Sequence, residues 1–258
     1  MVLEKIISVS MVEENVWYAV FLGVIFSTIG LVVGWVVFPS EASIVAVMFT
    51  AIASLPFIRK VIDIEERVEE RAHSLKQLVT RNRKIIEIFA LFFLGVVISY
   101  LFWNLILPEF SKNILFVKQA SVFKLVGGSA VGSFVSMREG FIRIFSNNMK
   151  ILLFCMILSL IYGSGGIVIL VWNASTLGVF ISSMNKLSAV IRIMPYTSLE
   201  FIGFFLAAIA GGILSVGIEN HRLNSKVFRK VLQDSILLFN MAIILITAAA
   251  FIEVFILF

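Results

Sequence analysis

Six long stretches of the chain carry no charged side chain: Trp17–Ser40, Ala42–Ile58, Ile88–Pro108, Ile151–Asn185, Phe201–Ile218 and Ser235–Ile252. A helix needs about 20 apolar residues to cross the hydrocarbon of a bilayer, and five of these runs suit one crossing each. The run from Ile151 to Asn185 has 35 residues, too many for one, and contains Tyr-Gly-Ser-Gly-Gly at 162–166. Paired glycines break helices. Split there, the pattern predicts an all-α, polytopic membrane helix bundle of about seven transmembrane helices.

Charge between the runs sets an expected orientation. Residues 59–84 hold eight Lys/Arg and residues 219–233 hold four, and such loops face the cytoplasm by the positive-inside rule. Two segments on one side need an even number of crossings between them. The split at 162–166 supplies four where an unbroken run would leave three, which puts the N-terminus inside and the C-terminus outside. The outer segment 109–149 also carries Lys112, Lys118, Lys124, Arg138 and Arg143, but longer loops weigh less in orientation. Its middle, residues 126–135, is apolar and rich in small residues, and both an interfacial and a re-entrant placement stay open.

Composition agrees with the pattern. The chain is 60% hydrophobic and 14% charged, with 25 Phe, against about 45–50% and about 25% in soluble domains. The net charge of +5 then reads as loops at an anionic membrane face rather than as a nucleic-acid surface, and no basic patch with interleaved aromatics supports nucleic-acid binding. Cys155 is the only cysteine, so no intrachain disulfide forms. The first sixteen residues hold Glu4, Lys5, Glu13 and Glu14, unlike a basic signal-peptide start, and the first span is expected to be retained. The expected localisation is the cell membrane, multi-pass.

Three parts follow: an N-terminal transmembrane hairpin over 1–58, a cytoplasmic amphipathic helix over 59–87, and a membrane core over 88–258. The middle part repeats Val61, Ile64, Val68, Ala72, Leu75 and Val79 at three- and four-residue steps, the period of one helical face. That face suits the bundle or membrane surface, or a partner helix.

Small residues recur every fourth position at Ala174, Gly178 and Ser182, and again at Gly203, Ala207 and Gly211. Such seams let helix backbones approach closely in lipid, so the fifth and sixth predicted spans are expected to pack on each other. Gly30 and Gly34 form a shorter seam in the first.

Four polar residues stand out. Asn173 falls mid-span, where an amide must find partners; it either bridges helices or ligates an ion or solute. Asn147 and Asn148 precede the fourth predicted span, and either suits an N-cap, with Lys150 snorkelling beside them. Thr197-Ser-Leu-Glu200 matches a capping box, with Pro195 just ahead of it. Glu200 is thus read as a cap, or as an ion-coupling or partner-binding carboxylate with Lys186 or Arg192 as counter-charge.

No catalytic constellation emerges. His73 and His221 lack a second ligand at metal spacing, Ser164 has no histidine in any predicted span to act as base, and Gly-Ser-Gly-Gly lacks the Lys-Ser/Thr of a phosphate loop. The chain is expected not to be an enzyme and to need no metal or cofactor.

Over roughly residues 140–258 the chain resembles the stage II sporulation protein M family. The carrying motifs are IFSNNMK (144–150), NASTLG (173–178) and MPYTSLEFIGFFLAAIAGG (194–212). The family pattern has paired Asn before a membrane helix, then Asn-Gly-x-x-Leu-Gly, then Pro-His-Gly-x-x-Glu running into a small-residue helix. Asn147, Asn148, Asn173, Leu177, Gly178, Pro195, Leu199 and Glu200 fall on it; Ala174 replaces a Gly, and Tyr196 and Thr197 replace His-Gly. The resemblance implies an integral membrane subunit that scaffolds other proteins, without catalysis of its own. A membrane or cell-envelope protein partner and a homo-oligomer are both open to it, besides the lipid bilayer itself. The alternative is a small ion or solute transporter built on Asn173, Glu200 and the glycine seams.

Overall fold

The computed structural model describes residues 9–69, 75–122, 136–184 and 186–257, the side chains at 9, 10, 13 and 63–82 lying outside that description. Among the described residues the regular elements are all helical. A short α1 (Val9–Glu14) leads into α2 (Tyr18–Val37), α3 (Ala42–Glu69), α4 (Leu75–Ile106) and a short α5 (Glu109–Leu115). Then come α6 (Met137–Tyr162), α7 (Ile167–Ser183), α8 (Leu187–Asn220) and α9 (Lys226–Leu257). Six helices (α2, α3, α4, α6, α8 and α9) contain stretches long and apolar enough to cross a membrane, while α7 is apolar but has 17 residues. At 1.5 Å per residue α7 is about 25 Å long. The chain is an all-α polytopic membrane bundle.

Local chemistry sets the boundaries. After the C-cap Phe38 of α2, Pro39 opens a single 3-10 turn, since proline cannot continue the preceding ladder. The long apolar run breaks between α6 and α7 at Gly163, whose φ of +69° is a conformation only glycine adopts cheaply. The following Gly166 N–H donates to Ser159 Oγ at 3.1 Å, tying the turn to α6. Ser136 caps α6 by accepting from the Glu139 N–H at 3.3 Å, and Ser225 caps α9 by accepting from the Phe228 N–H at 3.0 Å.

Neighbouring contacts give the helix directions. α2 and α3 are antiparallel, with Gly30 against Ala46 and Thr50, and Gly34 against Ala42. α4 runs parallel to α2, with Gly95 against Gly23 and Ser99 against Thr28. α7 runs parallel to α4, with Gly178 against Tyr100 and Ser182 against Asn104. α8 is the central helix, buried without interruption from Gly203 to Gly217, about 22 Å of helix. It is antiparallel to α9, with Gly203 on Ile246 and Gly217 on Val231, and parallel to α6, with Gly211 on Met156 and Ser159. Phe205 on α8 completes an aromatic cluster with Phe89 and Phe93 of α4, at ring separations of 6.0 and 5.2 Å.

The seams therefore have different partners from those expected. Gly178 packs on α4, Gly203 on α9 and Gly211 on α6, so the Ala174/Gly178/Ser182 and Gly203/Ala207/Gly211 rows do not face each other. Spacing identifies a surface that admits a backbone but not whose backbone it admits. The segment 59–87 is likewise no separate helix: its ends continue α3 and α4. Val61 is buried, while Ile64, Val68, Ala72, Leu75 and Val79, like residues 126–135, fall among side chains or residues outside the description. The two Lys/Arg-rich segments do meet at one end of the bundle, where Arg59 Nη2 lies 2.8 Å from Glu219 Oε2.

Candidate functional site

Because α6 and α8 run parallel with a constant offset, Asn148 lies level with Glu200. Asn148 Nδ2 donates to Glu200 Oε1 at 2.5 Å, and Asn148 is only 7% exposed. The antiparallel α9 brings the Glu253 carboxyl beside that of Glu200 at the same level. Tyr196, one helical turn before Glu200, is near enough to interact with both carboxyls. Asn147 is exposed and reaches back to Asn148 Oδ1 at 3.5 Å. Phe141 stacks on Phe251 at 4.3 Å and on Phe145 at 5.6 Å, joining α6 to the last turns of α9 beside the cluster.

A capping role for Glu200 does not survive this geometry. α8 begins at Leu187 with Lys186 at its N-cap and holds Pro195 inside, so Glu200 sits more than three turns into the helix. Thr197-Ser-Leu-Glu200 satisfies the capping pattern locally, but the amides it would cap are already bonded within the helix. The capping pattern operates instead at Ser136-Met-Arg-Glu139. Asn147 and Asn148 are not caps either, since α6 starts at Met137. Glu200 finds an amide and a second carboxyl as partners, whereas Lys186 and Arg192 are exposed.

Asn173 is not part of the cluster. It is half-buried, and its Nδ2 donates to Ile169 O of its own helix at 2.7 Å. Bonds between helices come from other α7 residues: Ser182 Oγ donates to Asn104 Oδ1 at 2.9 Å, and Ser175 Oγ accepts from Gln119 Nε2 at 3.4 Å. Thr197 and Ser198 line a different feature, an apolar cavity of about 220 Å³ shared with Phe93, Leu177 and Phe205.

Glu253 and Tyr196 escaped sequence reasoning. Glu253 is the sole charge between Asp234 and the final residue, a signal in plain view, but its pairing with Glu200 is a contact between helices. Tyr196 stands where the family pattern carries His, and supplies a hydroxyl donor in place of an imidazole.

Chemically the cluster offers two carboxyls, one carboxamide and one phenol. A hydrogen bond between two carboxyls requires a proton on one of them, because an ionised carboxylate only accepts. From α6 the Asn148 amide donates to the Glu200 carboxyl.

No curated protein and no solved structure matches the chain. A match to the family described as stage II sporulation protein M covers residues 88–256, well over half of the chain, and takes in α6, α7, α8, nearly all of α9 and the membrane part of α4. With Asn148, Tyr196, Glu200 and Glu253 all inside that match, this chain belongs to the stage II sporulation protein M family.

Proposed function

We propose that the chain is a membrane assembly subunit that holds another membrane or envelope protein in place and performs no catalysis of its own. The observation that carries this reading is the buried, apolar stretch of α8 beneath the polar cluster. From Gly203 to Gly217 every residue of α8 is buried, and Ser215 is the only polar side chain among them. The aromatic group Phe89, Phe93 and Phe205 packs between α8 and α4, and the cavity beside it is lined mostly by apolar side chains. A solute crossing the bundle needs polar groups along its path, and the Glu200 cluster leads into packed hydrocarbon instead. In this reading the cluster locks α6, α8 and α9 together, the Arg59–Glu219 end faces the cytoplasm, and the outward helix faces meet lipid or a partner in the cell membrane.

Purification from membranes in mild detergent tests it. A partner at fixed stoichiometry through a second column is the expected result; a monodisperse chain alone overturns the reading. The rival, a small ion or solute transporter, draws on the facing carboxyls Glu200 and Glu253. It requires flux in proteoliposomes that Glu200→Gln abolishes.

A further inference from the structure

The family match begins at residue 88, so α2 and α3 lie outside it. They are nonetheless fastened to the matched core along their whole length. At the α2–α4 crossing, a β-carbon on Gly23 would stand 3.1 Å from Gly95 Cα, and one on Gly95 would stand 3.1 Å from Gly23 Cα. About one turn on, Thr28 Oγ1 lies 3.2 Å from Ser99 Oγ and accepts from Trp103 Nε1 at 3.2 Å. Phe92 of α4 is fully buried between Phe26 of α2 and Phe57 of α3, at ring separations of 6.3 and 5.8 Å. On α3, Ser43 Oγ donates to Leu115 O at 2.8 Å and Ser43 O accepts from Gln119 Nε2 at 3.3 Å. Further along α3, Ile62 packs on Gly212 and Arg59 pairs with Glu219.

In each of these contacts one partner precedes residue 88 and the other falls within 88–256. The core side thus combines a glycine contact, hydroxyl and indole partners, a buried amide and a carboxylate, spread over α4, the segment after it, and α8. A face destined for lipid needs none of these, because lipid tails offer no hydrogen bonds and favour no close backbone approach.

We propose that the family core carries an acceptor surface for a transmembrane helix hairpin, and that α2–α3 occupies it as a tethered subunit held by these contacts rather than by the covalent link. The inference does not rest on the assembly reading above; it concerns a surface already filled by the chain itself.

The test uses the full-length chain with a protease recognition sequence substituted at 70–74, between α3 and α4, cleaved after purification in mild detergent. The two pieces are expected to co-elute in size exclusion and to keep the thermal transition of the uncut protein. Separation of the pieces on cleavage, with the uncut chain monodisperse, overturns the proposal. Gly95→Leu, checked first for monodispersity uncut, should separate the pieces once cleaved; co-elution despite it shows that the surface is not what holds them and also overturns it. Where Gly95→Leu fails to fold uncut, Thr28→Val replaces it, read by exchange of hairpins between two differently tagged cleaved preparations. Loss of two interhelical bonds at about 0.6 kcal/mol each should speed exchange about threefold to tenfold. An unchanged rate overturns the proposal.

Discussion

The two halves of α8 meet their neighbours by opposite means. In its first half, Glu200 accepts a hydrogen bond from Asn148 of α6 and lies beside Glu253 of α9. In its second half, Gly203, Gly211, Gly212 and Gly217 bring the helix so close to α9, α6 and α3 that a β-carbon would meet backbone or packed side chains. Lipid explains the division of labour. Apolar side chains gain nothing from leaving lipid for each other, so helices associate through close packing or through hydrogen bonds that hydrocarbon cannot replace. Close packing tolerates no added atom; a polar contact tolerates change so long as each buried group keeps a partner.

That contrast predicts an order of effects. Gly211→Leu should be the most damaging, because its added side chain would collide with Met156 O and Ser159 Cβ of α6. Overpacking of this kind costs about 1–3 kcal/mol and sometimes more, and rigid backbone on the other side puts this site at the upper end. Loss of monodispersity in size exclusion is the readout, and a stable monodisperse variant would show that α6 can move aside. Next comes Asn148→Leu, which takes from the Glu200 carboxyl its amide donor. Leaving a buried polar group unpaired costs about 1–3 kcal/mol, visible as a lower transition in tryptophan-monitored unfolding.

Glu200→Gln should be milder than Glu200→Leu, since the amide keeps an acceptor for Asn148 and a donor for Glu253. Equal losses for the two variants would break the idea that hydrogen bonding, rather than volume, joins this half. The smallest effect belongs to Arg59→Ala. The Arg59 and Glu219 side chains are 49% and 53% exposed, and exposed pairs contribute about 0–1 kcal/mol. Raising ionic strength should shrink the difference from the unsubstituted chain further.

How far each feature was legible follows from its range. The helix break at 162–166 was readable because a glycine turn is written in adjacent residues and needs no partner. The membrane class was readable because it depends on runs of residues. The capping reading of Glu200 failed through the same reliance on local signals: Thr197-Ser-Leu-Glu200 and Pro195 both resemble a helix start, yet α8 begins at Leu187. Membrane helices accept internal proline because neighbours re-satisfy the freed backbone groups, so Pro195 lost its value as a boundary marker. The glycine rows were visible as spacing, but their partners on α4, α6 and α9 are fixed by tertiary arrangement. Glu253 is the lone charge of its run, but nothing local pointed to a partner, and only the antiparallel return of α9 makes it a neighbour of Glu200.

The central position of α8 also sets a schedule. Among the described membrane helices only α9 follows it, and chains leave the ribosome N-terminus first. While α2, α3, α4, α6 and α7 are already made, the helix that α3, α4 and α6 are shaped to grip does not yet exist. Gly212 cannot meet Ile62, nor Gly211 meet Met156, until translation has passed residue 212. The contacts among α2, α3, α4 and α7 need none of α8 and can form beforehand, whereas those that tie α6 and α9 to the rest through α8 close afterwards.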